Sequence, residues 1–368
     1  MNLKPNILAL IQLPPPVHGA SIMNELVVKS PLINQQFSIT TIPLQFASSI
    51  SDISSLRLNK FIKTINITFH LIKALATKKY AFVYFTLSPI GFAFYRDLLF
   101  ISILKLFHAN ILYHLHGKGI KKNAESNLIK KFLYNFAFKN TSVIVLAYRL
   151  AKDIEMVFNG TLYCVNNGIQ CYNTDYLPKK SSIGIVQILF LSNLKRSKGL
   201  LDLIASLAVL RKRGIYFQAT IAGNDGDLTK INLDTLIKKL KLDDYVQVVG
   251  PKYDNEKCTL LSNADIFCFP THNDAFPLVL LEAMQLGKPV ISSVEGAIPD
   301  IVEHGKTGLL VHQQNIEELA DALQELIENE ETRKKMGTEG RKKFLSCYTQ
   351  KKFEENILSV FTEVAGKP

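Results

Sequence analysis

Only five cysteines occur in 368 residues, Cys164, Cys171, Cys258, Cys268 and Cys347, and no two form a C-x-x-C pair or a metal-type spacing. This argues against a disulfide scaffold or a zinc module and reads as reduced thiols of a cytosolic protein. No run of about 18 uncharged apolar residues exists, so no transmembrane helix is expected. The opening stretch Met1-Asn-Leu-Lys-Pro-Asn-Ile-Leu-Ala-Leu-Ile is too short, and too soon broken by prolines, to read as a signal peptide. Neither Gly-x-x-x-x-Gly-Lys-Ser/Thr nor Gly-x-Gly-x-x-Gly occurs, so the P-loop and Rossmann fingerprints are absent. Acidic residues are scarce in one half only. Residues 1–170 hold 18 Lys+Arg against 6 Asp+Glu, whereas residues 171–368 hold 25 and 26. A lysine-favouring coding bias does not explain missing acids in one half. The asymmetry concerns partners, with anionic lipid, anionic carrier substrates and nucleic acid as candidates. No RNP-like, zinc or helix-turn-helix signature supports nucleic acid.

What is present is a chain longer than one typical domain, 47% hydrophobic, with enough apolar residues for two cores. Short apolar strands alternate with helical patterns. Strands are expected at Asn6–Ile11, Ala81–Thr86, Ile111–His116 and Ser142–Ala147, with helices over Ile22–Lys29, Leu58–Lys78, Arg96–Phe107 and Glu125–Phe138. Such alternation predicts parallel sheets covered on both faces, an α/β fold. A polar turn around Gly168 and a linker at Ser181–Gly184 divide the chain, and the alternation then restarts. Strands are expected at Gln187–Leu191, Tyr216–Ala222, Val246–Val249 and Asp265–Phe269, and helices over Gly199–Arg213, Asp234–Leu240, Asn255–Ser262 and Gln350–Val364. Cys268 lies in an apolar run and reads as core.

The chemistry concentrates after these strands. Asp274 and Glu282 are two carboxylates eight positions apart, in Asp-Ala-Phe-Pro-Leu-Val-Leu-Leu-Glu. The fixed φ of Pro277 suits a helix start there, which places Glu282 about one and a half turns inside and the positive helix end beside any anion. Gly287 suits the helix end, and Lys288–Ser293 the next strand. Leu191–Gly199 follows a strand and opens a helix, so its amides and Lys198 suit a diphosphate. Gly19 and Ala20, in the loop Leu13–Ser21, let a ligand approach the backbone. His114 and His116 share a strand parity and one face. They admit either a packed and a ligand-facing role or, with less support, a metal. Leu56–Lys79 carries Phe61, Ile62, Ile65, Phe69, Ile72 and Leu75 at helical spacing among lysines. This suits an interfacial amphipathic helix, and equally a helix packed on a sheet.

The segment Asp274–Ala283 resembles the Glu-x7-Glu signature of retaining glycosyltransferases of family GT4, whose usual form is Glu-Gly-Phe-Pro-x-x-x-x-Glu-Ala. Asp274 stands for the first Glu and Ala275 for the Gly. Ser192–Gly199 resembles the family's Gly-Arg-Leu-x-x-x-Lys-Gly element, with Lys198 at the Lys, Asn193 at the Arg and Arg196 three residues on. His116-Gly resembles the family's cleft histidine, Ala222–Gly226 its Ala-Gly-x-Gly loop, and Leu13–Ser21 its Pro-rich first loop. The resemblance spans most of the chain and is strongest from 187 to 311. It implies a GT-B fold, two Rossmann-like parallel-sheet domains facing a central cleft: residues 1–170 on the acceptor side, 171–348 binding the nucleotide sugar, and 349–368 a helix returning to the N-terminal domain. It implies His116, Asp274 and Lys198 as catalytic residues. Gly19, Asn193, Arg196, Lys198, Gly223, Phe276, Leu278 and Glu282 would bind donor, Pro277 having no N–H to offer. His18 and Ala20 would lie on the acceptor side. The implied reaction is retaining sugar transfer from a nucleotide sugar to a glycan or lipid-linked acceptor in bacterial surface-polysaccharide assembly, without cofactor or catalytic metal. The location would be cytoplasmic, on an anionic membrane surface at the inner face. Alternatives are a GT-B enzyme that transfers nothing, such as a sugar-nucleotide epimerase, an inactive GT-B scaffold, or a basic nucleic-acid-binding protein.

Overall fold

The computed structural model describes residues 4–46, 57–172 and 184–366. Residues 181–183 of the expected linker, and Leu56 of the apolar–basic pattern, lie outside the described residues. The chain divides into two units, residues 1–167 with 350–368, and residues 168–349.

In the first unit β1 (Asn6–Ile11), β2 (Ser38–Pro43), β3 (Phe82–Phe85), β4 (Ile111–Leu115), β5 (Ser142–Val145) and β6 (Thr161–Cys164) are parallel, in the order β2-β1-β3-β4-β5-β6. The central strands are nearly continuous apolar runs because helices cover both faces. The helices are α1 (Gly19–Lys29), α2 (Pro31–Gln36), α3 (Arg57–Thr77), α4 (Gly91–Leu106), α5 (Ile120–Ser126) and α6 (Leu128–Phe138), joined by the terminal helix α14 (Gln350–Gly366). One parity of the strands, including Leu10, Val83, Phe85 and Tyr113, shares a core with Leu71 of α3, Phe100 and Leu104 of α4, and Phe138 of α6. On the other parity Phe82 and Tyr84 meet the ring of Phe361 from α14, at centroid distances of 5.1 and 5.2 Å. The single helix expected over Glu125–Phe138 is two helices. Asn127, extended at φ −164°, caps α6 by accepting from the amides of Ile129 and Lys130.

In the second unit β7 (Gln187–Leu191), β8 (Gln218–Ala222), β9 (Val246–Gly250), β10 (Ile266–Phe269), β11 (Val290–Ser293) and β12 (Gly308–Val311) are also parallel, in the order β12-β11-β10-β7-β8-β9. Around them lie α7 (Leu200–Lys212), α8 (Lys230–Lys239), α9 (Asp254–Asn263), α10 (Leu278–Gln285), α11 (Ile298–Ile301), α12 (Ile316–Glu328) and α13 (Glu330–Cys347).

Strand order reverses once in each sheet, between β1 and β3 in the first and between β7 and β10 in the second. Open α/β sheets bind ligands at the carboxyl ends of the strands at such a reversal, because the flanking loops diverge and leave a crevice. The loops after β1, β7 and β10 are those in which the sequence concentrates its chemistry.

Candidate functional site

The loops after β7 and β10 are locked together by Ser197. Its carbonyl accepts from the amides of His272 (2.9 Å) and Asn273 (3.2 Å) and from the Thr271 hydroxyl (3.1 Å). Gly199 permits this approach. Its φ is +70°, and a Cβ there would lie 1.8 Å from the Pro270 carbonyl oxygen. The consequence is a cation–carboxylate pair 76 positions apart in sequence. Lys198 Nζ lies 2.5 Å from Asp274 Oδ2 and 5.7 Å from the centre of the Phe269 ring. Both side chains are about four-fifths buried, at 22% and 19% exposure. The Asp274 amide donates to Glu295 Oε1 (3.2 Å), and Gln313 donates to the other Glu295 oxygen (3.1 Å). Glu295 opens the glycine turn after β11 and braces Asp274.

Pro277 is the residue before the first turn of α10, with φ −72°, so the helix starts one residue later than expected, at Leu278. Leu280 donates to the Pro277 carbonyl (3.2 Å), while the amides of Phe276 and Leu278 find no backbone acceptor among the described residues. Unpaired N–H groups and the helix dipole give this end a positive character. Glu282, on the second turn, lies 2.7 Å from Lys257 Nζ of α9. Lys257 escapes sequence reasoning, since it belongs to no motif and meets Glu282 only through the packing of α9 beside β7. Burial, and then the nearby Glu282 charge, hold the Tyr172 phenol above its ordinary pKa. Gly287 closes the helix at φ +66°, as expected.

Beside this pair, Gly223 backs onto the loop after β7, where a Cβ would lie 1.7 Å from the Ser192 carbonyl oxygen. Asn193 Oδ1 is 3.5 Å from the Asn224 amide, which also donates to the Tyr253 hydroxyl (2.8 Å). Arg196 is exposed, and its backbone amide donates to Asp227 (3.0 Å).

In the first unit His18 caps α1. Its Nδ1 accepts from the Ser21 amide (3.2 Å) and its own amide donates to the Ser21 hydroxyl (3.0 Å). Burial lowers its pKa, which suits a ring nitrogen acting as acceptor. Gly19 and Ala20 are the first two residues of α1. His114 is fully buried, and its Nδ1 shares a hydrogen bond of 2.6 Å with the phenol of Tyr84, which burial raises well above its ordinary pKa. Nε2 of His114, and both ring nitrogens of His116 at 4.0 Å between ring centroids, are shielded from solvent without a hydrogen-bond partner among the described residues. Buried polar atoms in this condition call for a partner.

Burial lowers the pKa of His114 well below the ordinary value and that of His116 to about 3, and each is further lowered by a neighbouring imidazole. In the unfolded chain both titrate near 6.5. Between about 3 and 6.5 the unfolded state binds more protons, so stability is full above pH 6.5 and falls as the solution is acidified. The expected slope is up to about 1.4 kcal/mol per pH unit for each ring. Urea midpoints at pH 7.5 and 5.5 check this, and His116→Gln should lose less stability than wild type over that interval.

Among the described residues no group of three His, Cys, Asp or Glu side chains could hold a metal, and no helix is long and apolar enough to cross a membrane.

Residues 180–343 match the family model of glycosyl transferases group 1. The chain is 33% identical over 156 residues to the D-inositol 3-phosphate glycosyltransferase of Pseudarthrobacter chlorophenolicus, a match covering 42% of this chain and 37% of that one. It is 36% identical over 151 residues to the amylovoran biosynthesis glycosyltransferase AmsK of Erwinia amylovora, covering 39% and 37%. The chain thus spans 37% of the length of each of these curated relatives. Among solved structures it resembles Anabaena HepE in complex with UDP, at a TM-score of 0.74 and 17% identity, covering 98% of this chain and all of that one. At that identity the likeness concerns the fold. The likeness to glycosyl transferases group 1 thus lies in residues 180–343, and the fold of the chain is GT-B.

Proposed function

We propose that the protein is a retaining glycosyltransferase that moves a sugar from a nucleotide-sugar donor to a glycan or lipid-linked acceptor. The observation that carries the reading is the Lys198–Asp274 pair at the strand-order reversal of the second unit, beside the start of α10. Lys198 and the amides of Phe276 and Leu278 take the donor diphosphate, and Asp274, once the phosphate draws Lys198 away, accepts from sugar hydroxyls. Glu282 holds the ribose hydroxyls, with Lys257 keeping the carboxylate in place. Asn193, Arg196 and Gly223 line the phosphate side. Fixed cations and a helix start stabilise the charge that builds on the leaving diphosphate without reorganising during the step. In the first unit the roles are those the resemblance implies, Gly19 for donor phosphate and His18 and Ala20 for the acceptor. His116, whose ring nitrogens have no hydrogen-bond partner among the described residues, is assigned to a sugar hydroxyl on the same resemblance. No covalent nucleophile is assigned. Retention follows from attack on the face that the leaving group vacates, a donor phosphate oxygen taking the acceptor proton. The step is assigned no cofactor and no catalytic metal, so transfer should survive EDTA.

HepE was crystallised with UDP, and AmsK is named for amylovoran biosynthesis. Together with the basic first unit, these names support a nucleotide-sugar donor and a lipid-linked acceptor at the inner face of a bacterial membrane, in surface-polysaccharide assembly. A thermal-shift panel of nucleotide sugars tests the donor assignment. The cognate donor at 100 times its Kd should add about 2.7 kcal/mol of stability and raise Tm. A panel in which no nucleotide sugar or nucleoside diphosphate raises Tm would contradict the reading.

A further inference from the structure

The apolar stripe on α3, Leu75 apart, does not pack on the sheet. Phe61 is 66% exposed, and Ile62, Ile65 and Phe69 are each more than half exposed, while Leu71, Ile67, Ala74 and Leu75 make the contact with the core. Isolated exposed apolar residues are ordinary on a protein surface; a contiguous set is not. Here the set continues onto the neighbouring helices. On α4, Phe92 is 93% exposed, and Tyr95 and Leu99, spaced to follow it on one helical face, are nearly half exposed. On α6, Leu128, Ile129 and Phe132 are exposed at 85%, 69% and 69%. All three helices contribute to the same core on one face of the first sheet, with α3 packed beside α4 and α4 beside α6. Their outer faces therefore lie on one side of the unit.

The charge on these helices has one sign. They carry Lys63, Lys73, Lys130 and Lys131 among others, and their only carboxylate is Asp97. Asp97 is fully buried, 2.6 Å from Arg96, and accepts from the Ser88 amide (2.9 Å). No carboxylate of α3, α4 or α6 is thus presented outward. A second copy of the chain docking face to face would set lysine against lysine. An anionic bilayer offers apolar depth for the aromatic and aliphatic side chains and phosphates for the lysines.

We propose that the outer faces of α3, α4 and α6 together form one docking surface for an anionic bilayer, with Phe61, Phe92 and Phe132 entering the boundary between headgroups and acyl chains. The assignment rests on the membrane-side reading above and is independent of the transfer chemistry. The test is co-sedimentation with phosphatidylglycerol-containing and pure phosphatidylcholine vesicles. It compares wild type, a triple variant with one change per helix (F61S/F92S/F132S), the α3-only variant F61S/F69S, and Lys63→Gln/Lys131→Gln. Tm and nucleoside diphosphate affinity serve as controls for folding and for the donor site.

Wild type should prefer anionic vesicles at least ten-fold. The triple variant should lose at least ten-fold in binding with Tm and nucleotide affinity retained, and the lysine variant about five-fold per charge. Wild-type binding by the triple variant, or an α3-only variant that loses as much as the triple, would overturn the three-helix surface and leave membrane association standing. Nucleotide binding with no vesicle binding by wild type would reject both the surface and the membrane reading. A dimer that dissociates on the triple substitution, or salt-sensitive capture of an acidic protein without vesicle binding, would assign the face to that partner and overturn the proposal.

Discussion

Replacing Asp274 with alanine is expected to lower sugar transfer by at least about 100-fold while nucleoside diphosphate affinity holds or tightens. The size follows from losing a fixed polar contact to the transferred group, which in comparable sites is worth about two to three orders of magnitude in rate. The sign of the affinity change follows from the structure. Asp274 holds Lys198 at 2.5 Å, so a diphosphate must compete with the carboxylate for the ammonium group. Alanine removes the competitor. His116→Ala should produce the same loss of transfer with nucleotide affinity unchanged, since His116 is assigned to the sugar and not to the nucleotide. Initial transfer rates and calorimetric affinities on the two variants check this. A variant that transfers within three-fold of wild type would remove that residue from the reaction.

Lys198→Ala should weaken nucleoside diphosphate about 10- to 100-fold and leave nucleoside nearly untouched. A charge-assisted hydrogen bond to phosphate contributes about 1.5–3 kcal/mol, and about 1.4 kcal/mol is one factor of ten in Kd. The variant also leaves Asp274 without its cation, adding repulsion toward the phosphates. Equal losses for nucleoside and diphosphate would mean that Lys198 does not touch phosphate.

The strands that carry the site were legible because a strand buried on both faces must be a nearly continuous apolar run, as residues 188–191 and Ile266–Phe269 are. The edge strands of the first sheet were not. Ser38–Pro43 is rich in Thr and mostly half-buried, and Thr161–Cys164 has four residues, so neither has a long apolar run to betray it. Helix α12 has Leu319, Leu323 and Leu326 at helical spacing, a signal the motif reading passed over. Helix α13 hides better, having Gly337, Gly340 and few apolar residues.

Within the site, Lys198, Asp274 and Glu282 could be named from local pattern and resemblance. Their partners could not be named so fully. The Lys198–Asp274 pair follows only once strand order places β7 beside β10. The pairing of Lys257 with Glu282 and the bracing of Asp274 by Glu295 depend on packing that no spacing encodes. His114 and His116 were placed on one face by strand parity, but the Tyr84 bond to His114 comes from a neighbouring strand and needed the register.

Calorimetric titration of nucleoside diphosphate into wild type and Glu282→Gln tests the central claim, that the second unit holds a nucleotide by its ribose and its phosphates. Saturable one-to-one binding by wild type is predicted. It should weaken about ten-fold or more in the variant, because an amide accepts from ribose hydroxyls less strongly than a carboxylate and leaves Lys257 uncompensated. Equal affinity in the two proteins, or no binding by wild type, would contradict the account.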